Sequence, residues 1–248
     1  MLRHVNIIRL EEVVREKNEL HLVFECMDCN LYELMASRSR PFLRPQVHSI
    51  IHQILTGLSH IHQIGFVHRD LKPENILVSH QDVIEVKICD FGSCRRLAER
   101  SVMTDYVATR WYRAPECLLR SPSYSLPIDV WAVGVMWAEL VSLQPLFPGS
   151  SEMDQIFRIA TVLGAPHDWP EGQVLASALR IRLPAKKESP FDNFEDKNLI
   201  LQLLVWNPQK RVTANQALFL LSRGTLDLVP GEGGREEILC EIENILSS

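Results

Sequence analysis

The sequence predicts an α+β fold, with a small β portion near the N-terminus and a larger, mostly α-helical portion after it. Three observations carry this: strand-like alternation in "ELHLVFE", an apolar repeat of three and four residues from Pro45 to Ile64, and helical patterning through most of the chain beyond Pro127. With 248 residues, 46% of them hydrophobic and 23% charged, the chain is long enough and apolar enough to bury a substantial core.

The elements follow in order. Leu20, Leu22 and Phe24 alternate with Glu19, His21 and Val23, and with "NIIRLEEVV" before them they predict a hairpin. Val47, Ile50, Ile51, Ile54, Leu55, Leu58 and Ile61 fall on one helical face, with Pro45 at the start and Gly65 at the stop. Short strands are expected at Ile76–Val78 and Val83–Ile88. Helices are expected at Ile128–Val141, Met153–Leu163 and Lys197–Val205, divided by loops bearing Pro and Gly. After a "PGEGG" linker, Ile238, Leu239, Ile242, Ile245 and Leu246 make one apolar face of a final helix over 236–246, available to this domain or to a partner.

Composition excludes several classes. A net charge of -5 without a Lys/Arg run longer than two argues against nucleic acid as a partner. The longest apolar run, "VWAVGVMWAELV", contains a Glu and is too short to span a bilayer, so it reads as a buried helix and no membrane partner is expected. Arg3, His4, Arg9, Glu11 and Glu12 interrupt any signal-peptide core. The six cysteines, at 26, 29, 89, 94, 117 and 240, show neither disulfide nor zinc spacing and read as small buried hydrophobes in a reducing compartment.

The chemistry sits in "HRDLKPEN" and "DFG". Phosphoryl transfer needs a carboxylate to orient the attacking hydroxyl, a cation on the migrating group and ligands for a metal ion. Asp70 fits the base, Lys72 the contact to the γ-phosphate and Asn75 a Mg²⁺ ligand. Twenty residues after the base, "DFG" offers Asp90 as a second Mg²⁺ ligand with Phe91 packed behind it. "TRWYRAPE" at 109–116 completes the set.

With these motifs in this order, the chain from His4 to about Leu218 resembles eukaryotic protein kinases. That implies a protein-kinase-like fold with a partial small lobe and hinge over 1–27, a large lobe over 28–222, and a linker with an amphipathic helix over 223–248. "TDY" before "VATRWYRAPE", with "PLFPGSSEMDQIFRIATVLGAP", resembles the group containing cyclin-dependent and mitogen-activated kinases. "DFGSCR", "ECMDCNLYELM" and "SLQPLFPG" are most similar to its MAPK/MAK/MRK-overlapping kinase family.

The resemblance implies a serine/threonine kinase that uses ATP and Mg²⁺ and acts on protein Ser or Thr hydroxyls followed by proline. "FECMDCN" would be the hinge, with Phe24 guarding the adenine pocket, Glu25 and Met27 bonding the base through their backbone, Asn30 facing the ribose and Leu77 forming the floor. Plain core packing of Phe24 and Leu77 is the competing expectation. Thr104 and Tyr106 would be phosphorylated by an upstream kinase, the first phosphate caught by Arg69 and Arg95 and the second by Arg110 and Arg113; ordinary surface ion pairs are the alternative for these arginines. Asp129 would anchor the catalytic loop and Arg211 would pair with Glu116. A cytoplasmic location, with nuclei and cilia as the sites of relatives, follows by the same inference.

No Gly-x-Gly-x-x-Gly and no "VAIK"-like lysine precede the hinge. The expectation is therefore an N-terminally truncated kinase that grips ATP weakly. A pseudokinase serving as an interaction module competes with it, and the intact Asp70, Lys72, Asn75 and Asp90 argue against that alternative.

Overall fold

The computed structural model describes residues 3–79, 84–97, 110–122, 125–184 and 190–223. The predicted hairpin forms as β1 (Leu10–Glu16) and β2 (Glu19–Phe24), antiparallel, with Leu10 opposite Phe24 and Glu16 opposite Glu19. Lys17 and Asn18 turn the chain with φ of 45° and 72°. Positive φ at both turn positions matches the right-handed twist of the flanking strands. All six residues of β2 are exposed.

β3 (Cys29–Asn30) leads into α1 (Leu31–Ala36) and then α2 (Arg44–Gln63). The three-and-four repeat of α2 is buried from Val47 to Ile61, and Gly65, at φ 80°, takes the left-handed position that ends it. A short strand, β4 (Phe66–Val67), precedes the loop carrying Asp70. β5 (Ile76–Ser79) and β6 (Glu85–Ile88) join β3 in an antiparallel sheet of order β3-β5-β6, and β7 (Arg95–Arg96) pairs with β4. The N-terminal segment reaches β6 through Ile88 N–H donating to Asn6 O at 2.9 Å and Ile8 N–H donating to Ile88 O at 2.9 Å. Gly57 of α2 makes that approach possible, since a Cβ there would lie 2.7 Å from the Asn6 carbonyl oxygen.

The rest is helical: α3 (Pro115–Leu118), α4 (Pro127–Ser142), α5 (Glu152–Leu163), α6 (Pro170–Ala178), α7 (Lys197–Leu203) and α8 (Ala214–Ser222). α4 is buried almost all round, which explains why its sequence is apolar without a polar face. It packs between α2 and α7, and α8 packs on α2. The helix expected at Lys197–Val205 ends two residues early, at Leu203. α7 is tied to the start of α2 through Asp196, whose carboxylate accepts from Arg44 at 2.9 Å and lies 2.7 Å from His48 Nε2.

Among the described cysteines only Cys117 is buried; Cys26 is exposed and Cys29, Cys89 and Cys94 are half-buried, which corrects the expectation of buried hydrophobes. Among the described residues no helix is long and apolar enough to cross a membrane. The helix expected at 236–246 lies outside the described residues.

Candidate active site

The loop between β4 and β5 is shaped by its backbone. Arg69 adopts φ 73°, a left-handed conformation that costs a non-glycine residue energy and persists only when its surroundings fix it. Asp129, in the first turn of α4, supplies that fixation. Its Oδ2 accepts from His68 N–H at 2.8 Å and its Oδ1 accepts from Arg69 N–H at 2.8 Å. His62, near the end of α2, contacts the same Oδ2 through Nε2 at 2.9 Å. Burial disfavours the Asp129 charge, but the hydrogen bond and charge of His62, the nearby His68 and the Arg69 N–H outweigh it and hold the carboxyl below its ordinary value. Sequence reasoning foresaw Asp129 as an anchor and missed His62, whose partner is distant in the chain.

Held this way, the loop presents Asp70 with donors on one oxygen. Lys72 Nζ lies 2.9 Å from Asp70 Oδ2; Asn75 Nδ2 donates to the same oxygen at 3.1 Å and to the Asp70 carbonyl at 2.8 Å. Burial works against the Lys72 ammonium, but the hydrogen bond and charge of Asp70, with Glu74 and Asp90, overcome it and raise the lysine's pKa. Lys72 therefore stays cationic. Asp90 follows β6 at φ 60°, its Oδ1 accepting from Gly92 N–H at 3.3 Å. The Asn75 carbonyl accepts from Cys89 N–H at 3.0 Å, which sets Asn75 beside Asp90.

The donor set fits Mg²⁺. With Nδ2 turned to Asp70, Asn75 keeps its amide oxygen for a hard cation, and Asp90 adds a carboxylate. Among the described residues no cluster of three or more His, Cys, Asp or Glu could hold a metal alone. Two oxygen donors completed by phosphate and water match the way Mg²⁺ is usually held at nucleotide sites.

Above Asp90 opens a cleft of about 1440 Å³ lined by Phe24, Glu25, Leu77, Cys89 and Asp90, with Lys87 beside them. Phe24 is 44% exposed, so it is not core; it faces the cleft, as Leu77 does. Met27 and Asn30 are not among the cleft's lining residues. Asn30 instead caps α1, its Oδ1 accepting from Glu33 N–H at 2.9 Å while Glu33 answers from the Asn30 N–H at 3.0 Å. Burial and the Asp90 charge outweigh the opposing Lys72 and push the Cys89 thiol up to about 11.

Of the predicted phosphate-binding arginines, Arg69 sits on the loop that carries Asp70 and Arg95 is exposed in β7. Arg110 donates to Ser150 O at 3.2 Å, and Arg113 faces Glu152 at 3.8 Å. Thr104 and Tyr106 lie outside the described residues. Beneath this region Arg211 forms two bonds to Glu116, at 2.7 and 2.9 Å, with both side chains fully buried. A second buried pair, Tyr112 donating to Glu139 at 2.6 Å, was not legible in the sequence; burial raises the Glu139 pKa against that bond.

A buried aspartate that clamps a strained loop, and an aspartate, lysine and asparagine carried by that loop near a further aspartate, make up an arrangement found in one class of protein. Residues 1–219 match the protein kinase domain, and the chain belongs to that family. It is 51% identical over 225 residues to serine/threonine-protein kinase MAK of Mus musculus and to serine/threonine-protein kinase ICK of Rattus norvegicus, covering 88% of this chain and 36% of each relative. It is 46% identical to cyclin-dependent kinase F-3 of Oryza sativa subsp. japonica, of which it covers 51%. The chain thus spans about a third to a half of the length of these relatives.

Proposed function

We propose that the chain carries the catalytic loop of a serine/threonine protein kinase that transfers the γ-phosphate of ATP to Ser or Thr hydroxyls of proteins. The observation that carries this reading is the state of Asp70: both donors fall on Oδ2, which leaves Oδ1 as the acceptor for a substrate hydroxyl proton. Lys72, kept cationic, would hold the transferring phosphoryl group, and Asn75 and Asp90 would hold Mg²⁺. Mg²⁺, when bound, neutralises charge developing on the phosphates. Glu25 and Met27 would present backbone groups to the adenine, Phe24 and Leu77 would line its pocket, and Asn30 would stand near the ribose end of the hinge.

The proposal includes a preference for proline after the target residue, phosphorylation at Thr104 and Tyr106 by an upstream kinase, and capture of those phosphates by Arg69, Arg95, Arg110 and Arg113. Similarity to relatives named serine/threonine kinases and the "TDY" and "TRWYRAPE" stretches support it. It divides the chain into small-lobe and hinge residues 1–27, a large lobe over 28–222 and a tail over 223–248 with a partner for 236–246. A cytoplasmic, nuclear or ciliary location belongs to the same reading.

Phosphate transfer to Ser-Pro, Thr-Pro, Ser-Ala and Thr-Ala peptides, set against small hydroxyl compounds, tests it: peptides should be used and the proline forms preferred. Equal use of small alcohols would overturn the protein-substrate assignment. Exposed Leu20, Leu22, Val23 and Phe24 favour a second reading, an interaction module with impaired transfer. It predicts partner binding unchanged in the Asp70→Asn, Asp90→Asn double variant.

A further inference from the structure

Lys87 has no part in the chemistry described above, yet it is 9% exposed and lies at the cleft. It stands directly opposite Leu77 in the β5–β6 ladder, and opposite residues of an antiparallel pair point to the same face. Leu77 lines the cleft, so the Lys87 stem rises beside the proposed nucleotide floor. Its Nζ lies 3.2 Å from Glu25 Oε1 and 3.1 Å from Glu85 Oε1. The Glu25 side chain is 18% exposed and that of Glu85 46%, so solvent screens the Glu25 contact less.

Glu25 is itself a junction. Its N–H donates to Arg9 O at 3.0 Å, and its Oε1 accepts from Arg9 N–H at 2.7 Å. One carboxylate oxygen therefore joins the residue preceding β1, the segment following β2 and the cation of β6. Losing the ammonium would leave a half-buried carboxylate facing a second one, with Arg9 N–H still donating to it.

We infer that Lys87 is a positioning residue: through Glu25 it ties the segment after β2 to the β5–β6 sheet and so fixes the backbone groups at the adenine end of the cleft. The consequence for nucleotide binding rests on the phosphotransfer reading, whereas the strut itself does not. The simpler role, a lysine that merely neutralises nearby carboxylates, would not require a link between these two segments.

Hydrogen exchange on the 248-residue chain reads the strut directly at the amides of Glu25 and Asp28, which donate to Arg9 O and Val78 O. Lys87→Met should exchange about tenfold faster there, as expected for loss of a charged hydrogen bond, while Lys87→Arg stays near wild type and α4 amides are unchanged in both. Glu25→Gln supplies the same test from the other side should Lys87→Met not fold, and the double variant should open little further than either single one. Wild-type exchange at Glu25 and Asp28 in Lys87→Met, no rescue by arginine, or fully additive single effects would overturn the proposal. A titration with Mg-ADP separates the two readings. No saturable binding by the wild type would count against the nucleotide reading alone, with exchange still deciding the strut. Unchanged affinity in Lys87→Met beside accelerated exchange would refute positioning.

Discussion

Arg211 and Glu116 are fully buried, and Arg211 also donates to the Pro127 and Val205 carbonyls and lies 5.1 Å from the Trp131 ring centroid. Taking two charges out of water costs several kcal/mol each, so such a pair adds little net stability, whereas removing one partner leaves an uncompensated charge. Arg211→Met should therefore destabilise the fold by about 3–5 kcal/mol in chemical denaturation. Converting Glu116 to Gln in the same variant should recover part of that loss. A single variant with wild-type stability would show that the pair is not held as described. At the same scale, Asp129 and Arg211 were readable from the sequence because the resemblance to protein kinases maps each onto a motif of that family. His62, Lys87 and Glu139 were not, because what each does depends on a partner that only folding brings near.

Among the elements, α2 was legible because it buries side chains at its own period, and the β1–β2 hairpin because apolar and polar residues alternate along its sequence, although every residue of β2 is exposed. α6 was not: within it only Gly172 and Ala176 are buried, which leaves no apolar stripe to read. β4 and β7, two residues each, carry no period at all. The Lys17–Asn18 turn was hidden because lysine is an unusual residue at positive φ. The α4–α7 contact yields a prediction of its own. A Cβ at Gly134 would lie 2.8 Å from Leu203 Cβ and 2.9 Å from Leu204 Cδ2. Gly134→Ala gains up to about 1 kcal/mol in helix propensity but must push the helices apart at a cost of roughly 1–3 kcal/mol. The midpoint of thermal unfolding should fall by a few degrees in calorimetry. A rise would mean that α7 can yield.

At the scale of the whole molecule, acid stability should depend on Asp129. Its folded pKa lies below the ordinary 3.8, so its contribution is complete above that value and is lost as pH falls through the lower folded value. Urea unfolding from about pH 5 downward should show stability declining in the wild type, with a shallower decline in Asp129→Asn. Identical slopes would remove Asp129 from the acid response. The candidate site was legible to the extent that motifs announce chemistry: Asp70, Lys72, Asn75 and Asp90 do converge on one loop and its neighbour. The cleft's lining was only partly legible, since Phe24, Glu25 and Leu77 face it whereas Asn30 is spent on capping α1. Asp70 is proposed to serve phosphate transfer to a peptide hydroxyl. This role is tested most directly by following transfer of labelled γ-phosphate from ATP to a Ser-Pro or Thr-Pro peptide, using the longest form of the protein that carries this chain beside its Asp70→Asn variant. The expected result is transfer by the first and a loss of at least about a hundredfold in the second, with unfolding curves that superimpose. Equal transfer by both forms, or none by either, would contradict it.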